Sequence, residues 1–198
     1  MAGPDIVLFV IGALLFGGAT YAIVSSPGGL GGAGSAAGFF NVQFQTDTVE
    51  LDSQSAPSLR SASLEFEVTA MNVTALEFAV ACTGQTGDVG PVTFSLAVDV
   101  QGPNGQTGSA QGSCGQGVTV PIEIAAAPGP ATAAGATEAD ARANLATFEN
   151  ATAAQGTWTV TITGSRGGAP LPLPAGDPGG TVSLTATEWV PTLTPGSR

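Results

Sequence analysis

The sequence predicts a mainly β protein: an antiparallel, jelly-roll-like β-sandwich carrying one N-terminal transmembrane α-helix and a short helix near 137–149. Three observations predict it. The stretch Ile6–Val24 runs nineteen residues without a charge. From Phe39 onward, apolar residues fall at every second position in six separate runs. Between the runs stand turn formers, drawn from 29 Gly and 14 Pro in a chain of 198 residues.

At the rise of an α-helix, Ile6–Val24 makes a rod of about 28 Å, close to the thickness of a bilayer's hydrocarbon core. The rival readings are a buried core helix and a cleaved signal peptide. A signal peptide carries basic residues ahead of a shorter apolar run and a small-residue cleavage site behind it. Met1–Asp5 holds no Lys or Arg and no A-x-A site follows, so a retained anchor is favoured. Ala13 with Gly17, and Gly18 with Ala22, set small residues four apart, the spacing that lets a second membrane helix approach closely. Tyr21 near the outer end suits the headgroup region. Residues 26–38 are a Gly/Ala/Ser-rich tether without periodicity, with a reach of roughly 20 Å as a flexible coil.

The alternating runs come next. Leu64, Phe66 and Val68 form the first, Leu76, Phe78, Val80 and Cys82 the second, and Phe94, Leu96, Val98 and Val100 the third. Val118, Val120, Ile122 and Ile124 follow, then Trp158, Val160 and Ile162, then Val182, Leu184 and Ala186. Weaker strands are expected at Asn41–Gln45 and Thr48–Asp52. Such alternation buries one face of each strand and wets the other, which is how antiparallel sandwiches read. Pro103-Asn104-Gly105, ahead of Thr107–Cys114, signals a hairpin with a tight primed turn. Gly84–Pro91 and Arg166–Gly180 read as surface loops. Thr137-Glu138-Ala139-Asp140 resembles a capping box, with Leu145 and Phe148 behind it, so a helix begins near Thr137 and gives way to an extended end by Glu149; the rival is a strand near Asn144–Phe148. The resulting layout is a membrane helix in 1–25, the tether in 26–38, an extracytoplasmic sandwich in 39–190 and a tail in 191–198.

Charge narrows the function. Fifteen acidic residues face four basic ones, all Arg, for a net charge of −11. Nucleic acid, which needs a basic patch to neutralise its phosphates, is excluded as a partner. The chain contains no His and no Lys, which removes Ser-His and Cys-His nucleophiles, imidazole metal sites and lysine Schiff bases.

Cys82 and Cys114 are the only cysteines. Parity places Cys82 inward with Val80 and Cys114 with Val118, so either they form a disulfide or they are two buried thiols. The disulfide is favoured for a domain outside the cytosol, where closing the loop would stabilise by about 3 kcal/mol. Two sequons, Asn72-Val73-Thr74 and Asn150-Ala151-Thr152, make Asn72 and Asn150 glycosylation candidates on accessible connections. Glu65 and Glu67 share one strand face and Asp47, Glu50 and Asp52 cluster in sequence; without a D-x-[DN]-x-[DN]-G loop they read as a solvated acidic surface before a Ca²⁺ site.

Leu145-Ala146-Thr147-Phe148, then Gly156-Thr157-Trp158-Thr159-Val160, then Gly180-Thr181-Val182-Ser183-Leu184 and Trp189, resemble the closing part of P-domain-like jelly rolls. These are β-sandwich modules found beside subtilisin-type proteases and in many secreted microbial proteins. The resemblance implies the fold and does not imply protease activity; the family's Ca²⁺ ligands have no counterpart here, so no metal is carried over. One N-terminal helix followed by a β-sandwich is also similar in plan to archaeal pilin-like and archaellum-stator surface proteins.

Together these readings lead to a non-enzymatic, single-pass surface protein. Its N-terminus lies on the cytoplasmic side, its helix beside other membrane-protein helices or copies of itself, and its sandwich outside, making contacts in an envelope, surface filament or virion. Two other classes compete: an accessory extracytoplasmic subunit of a membrane enzyme complex, which co-purification with redox or transport subunits would reveal, and a glycan- or Ca-binding module. No catalytic residue, cofactor, metal site or small-molecule substrate is expected.

Overall fold

The computed structural model describes residues 38–83, 93–145, 151–167 and 177–196. The expected membrane helix and most of the tether lie outside the described residues. Among the described residues no helix is long and apolar enough to cross a membrane.

Among the described residues nine strands and one helix follow in order: β1 (Gly38–Ala56), β2 (Ser61–Val68), β3 (Val73–Thr83), β4 (Thr93–Gln101), β5 (Thr107–Ser113), β6 (Val118–Glu123), β7 (Ala131–Gly135), α1 (Glu138–Leu145), β8 (Gly156–Gly167) and β9 (Gly179–Pro195). They form a five-stranded sheet, β6-β3-β9-β1-β7, and a four-stranded sheet, β2-β8-β4-β5. Every pairing is antiparallel.

All six alternating runs are strands, and their apolar positions face each other between the sheets. Leu76, Phe78, Val80, Val118, Val120, Ile122, Val182, Leu184 and Ala186 come from the larger sheet. Phe66, Val68, Phe94, Leu96, Val98, Val100, Trp158, Val160 and Ile162 come from the smaller. Phe78 lies 5.8 Å from both Phe66 and Trp158, ring centre to ring centre, so three aromatic rings stitch the layers together. Gly108 of β5 packs directly under β6, where an added side chain would collide with Ile122 and Val120. No buried polar or charged side chain occurs among the described residues; the core between the sheets is apolar and is held chiefly by burial and dispersion.

The two weak strands expected at Asn41–Gln45 and Thr48–Asp52 are parts of one nineteen-residue strand, β1. The polar residues between them do not interrupt it, because β9 supplies a partner throughout: Thr46 pairs with Trp189, Asp47 with Glu188 and Thr48 with Thr187. Its one irregularity is a register shift between Glu50 and Asp52. β9 in turn continues to Pro195, into the stretch expected as a tail. Two prolines are tolerated there because β3 ends at the Val73–Glu188 pair, so the later part of β9 has a ladder partner on one side only.

Side chains alternate across a strand, so Val182, Leu184 and Ala186 point to one face of β9 while Trp189, Pro191 and Leu193 point to the other. The first set enters the main core. The second joins a smaller hydrophobic layer on the opposite side of the same sheet, where Val42, Ala133, Ala141 and Leu145 are buried against Phe40, Phe44 and Leu193. Phe44 meets Trp189 edge to face at 5.0 Å. The helix covers this layer. Thr137 caps it: the Asp140 N–H donates to Thr137 Oγ1 at 3.2 Å, and the Asp140 carboxylate accepts from the Thr137 N–H at 3.0 Å and hydroxyl at 2.8 Å. The expected helix start is therefore right, and the helix ends at Leu145; Phe148 and the extended end lie outside the described residues. β7 was not foreseen, its sequence ATAAG lacking any bulky β former. Gly135 at its end lets α1 fold back closely, an added Cβ there lying 2.5 Å from the Ala141 nitrogen.

The β4–β5 turn differs from expectation. A primed turn needs positive φ at Asn104 and Gly105, but only Gly105 has it, at +81°. Pro103 fixes a negative φ and starts an ordinary type I turn, closed by the Gly105 N–H on the Gly102 carbonyl at 3.3 Å. The strands rejoin at Gln101 and Thr107.

Candidate functional site

The strand directions divide the described domain into two ends. At one end lie Gly38, the β2–β3 and β4–β5 turns and the segment entering β8. At the other lie the β5–β6 turn, the starts of β2 and β9, and the two cysteines.

Cys82, on the last turn of β3's alternation, and Cys114, just past β5, are joined in a disulfide with Cα atoms 5.3 Å apart. The bond ties the five-stranded sheet to the four-stranded one. The Cys114 N–H also donates to the Phe94 carbonyl at 3.0 Å, so the turn is held to β4 as well as to β3. At this same end Asp177 stands between Arg60 and Arg166, at 3.9 and 4.0 Å. Such partly exposed pairs contribute little stability. The third described arginine, Arg142, pairs with Glu138 one helical turn away at 3.3 Å.

Asn72 occupies the β2–β3 connection with φ +62°, a left-handed conformation that Asn adopts more readily than most residues. Its backbone N–H donates to the Ala151 carbonyl at 2.9 Å, its side-chain Oδ1 accepts from the Ala151 N–H at 3.2 Å, and its carbonyl accepts from the Trp189 N–H at 3.1 Å. The sequon asparagine is thus half-buried and pins three segments together. Thr74, the third residue of that sequon, donates its hydroxyl to the Thr187 carbonyl at 3.0 Å. Asn150 lies outside the described residues, as do Ala13, Gly17, Gly18 and Ala22.

The acidic residues weighed for Ca²⁺ are spread along β1 and β2. Asp47 and Asp52 each accept the N–H of the following residue, at 2.9 and 2.7 Å. Glu67 accepts the Thr157 hydroxyl at 2.8 Å. Among the described residues no group of three or more His, Cys, Asp or Glu is placed to hold a metal. Open depressions on the surface of the described residues include two with partly polar linings. One, of about 640 Å³, is lined by Thr46, Thr74, Glu123 and the Ile124–Ala127 segment. The other, of about 700 Å³, lies on the outer face of the smaller sheet among Asp99, Gln101, Thr107, Ser109, Thr159 and Thr161. Each sets a single carboxylate among hydroxyls.

One polar arrangement was not legible beforehand. The Asn104 side-chain amide donates to the Ala153 carbonyl at 3.1 Å, and Gln106 Nε2 donates to the same oxygen at 3.0 Å. Gln106 Oε1 accepts the Asn104 N–H at 3.1 Å. Together they latch the β4–β5 turn onto the segment that precedes β8. Asn-Gly marked a turn in the sequence, but nothing local names a partner 49 residues away.

The chain matches no protein-family model and no curated protein. Among solved structures, it is similar to the serine protease of Aeromonas sobria at a TM-score of 0.30 and 12% identity, over 85% of this chain and 29% of that one. The present chain therefore spans less than a third of that protein, and a likeness at this level carries no argument about fold or activity.

Proposed function

We propose that this chain is a non-enzymatic surface protein, anchored by Ile6–Val24 and presenting its sandwich outside the cytoplasm as a structural or interaction subunit of an envelope, filament or virion assembly. The observation that carries the reading is the Cys82–Cys114 bond between the two sheets. A disulfide of this kind persists in oxidising compartments and is rare in the cytosol. The rest is consistent with it: an uncharged nineteen-residue stretch upstream, an acidic surface suited to staying soluble, and a sequence without His or Lys.

Membranes of the source should retain the protein after an alkaline carbonate wash, and solubilisation in mild detergent followed by cross-linking should capture copies of itself or other envelope proteins. Release by the wash, or a monomer without a cross-linked neighbour, would overturn the reading.

A further inference from the structure

Five asparagines occur in the chain, and the residue that follows each decides its chemistry. Asn41 and Asn72 precede Val, Asn144 precedes Leu and Asn150 precedes Ala; only Asn104 precedes Gly. Spontaneous deamidation begins when the backbone nitrogen of the next residue attacks the asparagine Cγ, and a following side chain obstructs that approach. At Asn104 there is none. The residue is also exposed, in a turn, with Gly105 at φ +81° and open space around it.

Two of the four competing asparagines are held by side-chain hydrogen bonds. Asn72 uses Oδ1 to accept the Ala151 N–H, and Asn144, in the last turn of α1, donates its amide to the Ala134 carbonyl of β7 at 2.7 Å. Asn104 is tied too, by its 3.1 Å bond to the Ala153 carbonyl, by its own N–H on Gln106 Oε1 at 3.1 Å and by the long 3.3 Å bond of the Gly105 N–H to Gly102, but no following side chain bars the attack there.

We infer that Asn104 is the deamidation site of this protein, and that its conversion loosens the hold of the β4–β5 turn on the segment covering Trp158. The Gly105 nitrogen bonds to Asn104 Cγ, the Cγ–Nδ2 bond breaks, and ammonia leaves with the proton lost by Gly105. Water then opens the five-membered imide at either carbonyl, giving aspartate or isoaspartate. The net reaction consumes one water and releases one ammonia, with no redox partner.

The consequence follows from the latch. Asn104 Nδ2 is a donor to the Ala153 carbonyl; a carboxylate in its place is an acceptor facing an acceptor, and the bond becomes a repulsion. Isoaspartate adds a methylene to the main chain inside a tight turn. Beneath the latch, Trp158 is fully buried and donates Nε1 to the Ala154 carbonyl at 2.8 Å. Gly102 rests on its ring, an added Cβ lying 2.7 Å away. Gln106 keeps its own bond to Ala153, so the turn loosens without the sandwich opening.

The test ages the full-length, oxidised protein in mildly alkaline buffer, folded and in denaturant, and follows every asparagine by site-resolved mass spectrometry and isoaspartate-specific methyl transfer. Asn104 should convert ahead of the other four, and its conversion in the folded chain should be several-fold to about tenfold slower than in the unfolded chain, the factor expected of breaking one or two hydrogen bonds. Full conversion of the unfolded chain with none at Asn104 in the folded chain would overturn the site, as would faster conversion elsewhere. An Asn104→Asp variant tests the loosening: backbone hydrogen exchange at Gly102–Gln106 and Gln155 should rise several-fold with little change in melting temperature. Exchange equal to that of the unaltered protein would overturn it.

Discussion

Phe78 touches both Phe66 and Trp158 and belongs to the opposite sheet from either, which makes it the side chain on which the two layers meet. Truncation to Ala leaves a cavity in a core with no water-binding groups to fill it, so Phe78→Ala should destabilise by about 3–5 kcal/mol. Denaturant unfolding followed by Trp fluorescence would measure this, and a loss below about 1 kcal/mol would mean that the sheets re-close over the gap. The inward positions of Phe78, Phe66 and Trp158 were readable from alternation alone, since one residue's slip would turn a whole strand inside out. The role of Asn72 was not. Its triplet reads as an acceptor for a glycan; in addition, its left-handed backbone and its bonds to Ala151 and Trp189 join segments up to 117 residues apart in sequence, a relation no local pattern carries.

At the scale of elements, the disulfide decides how the far end of the sandwich behaves. It closes a span of 32 residues that contains β4 and β5, so its loss should cost between about 3 and 4 kcal/mol through the added freedom of the unfolded chain. The double variant Cys82→Ala, Cys114→Ala should melt roughly 10 °C lower in calorimetry. An unchanged melting temperature would show that the sheets need no covalent tie. The strands with strict alternation were legible; β1 and β7 were less so, for different reasons. β1 switches from the small hydrophobic layer at Phe40, Val42 and Phe44 to an exposed polar middle at Gln45–Glu50, and a change of environment along one strand looks like two short strands. β7 is built from Ala, Thr and Gly, and it is a strand because Gly38–Val42 offers it an edge to pair with.

For the whole molecule, charge is the term that solution conditions can reach. The described residues hold twelve carboxylates against Arg60, Arg142 and Arg166, each already beside a carboxylate. The surplus repels itself across the surface and is screened over about 10 Å at 0.1 M salt. Adding neutral salt from a low-salt buffer should therefore raise the melting temperature by a few degrees, and a fall would indicate that specific ion pairs outweigh the general repulsion.

The longest pairing among the described residues also gives the domain a mechanical direction. β1 and β9 run antiparallel over sixteen paired positions, and Gly196 closes the ribbon with its N–H on the Phe39 carbonyl at 2.7 Å, beside the point where the upstream chain reaches the domain. A pull between Gly38 and Gly196 would open that ladder one rung at a time, like a zipper. A pull between Gly38 and the cysteine-linked end runs along the strands and loads the rungs together, in shear. Held at Gly38 and gripped at the opposite end, the domain presents tension with its strong axis.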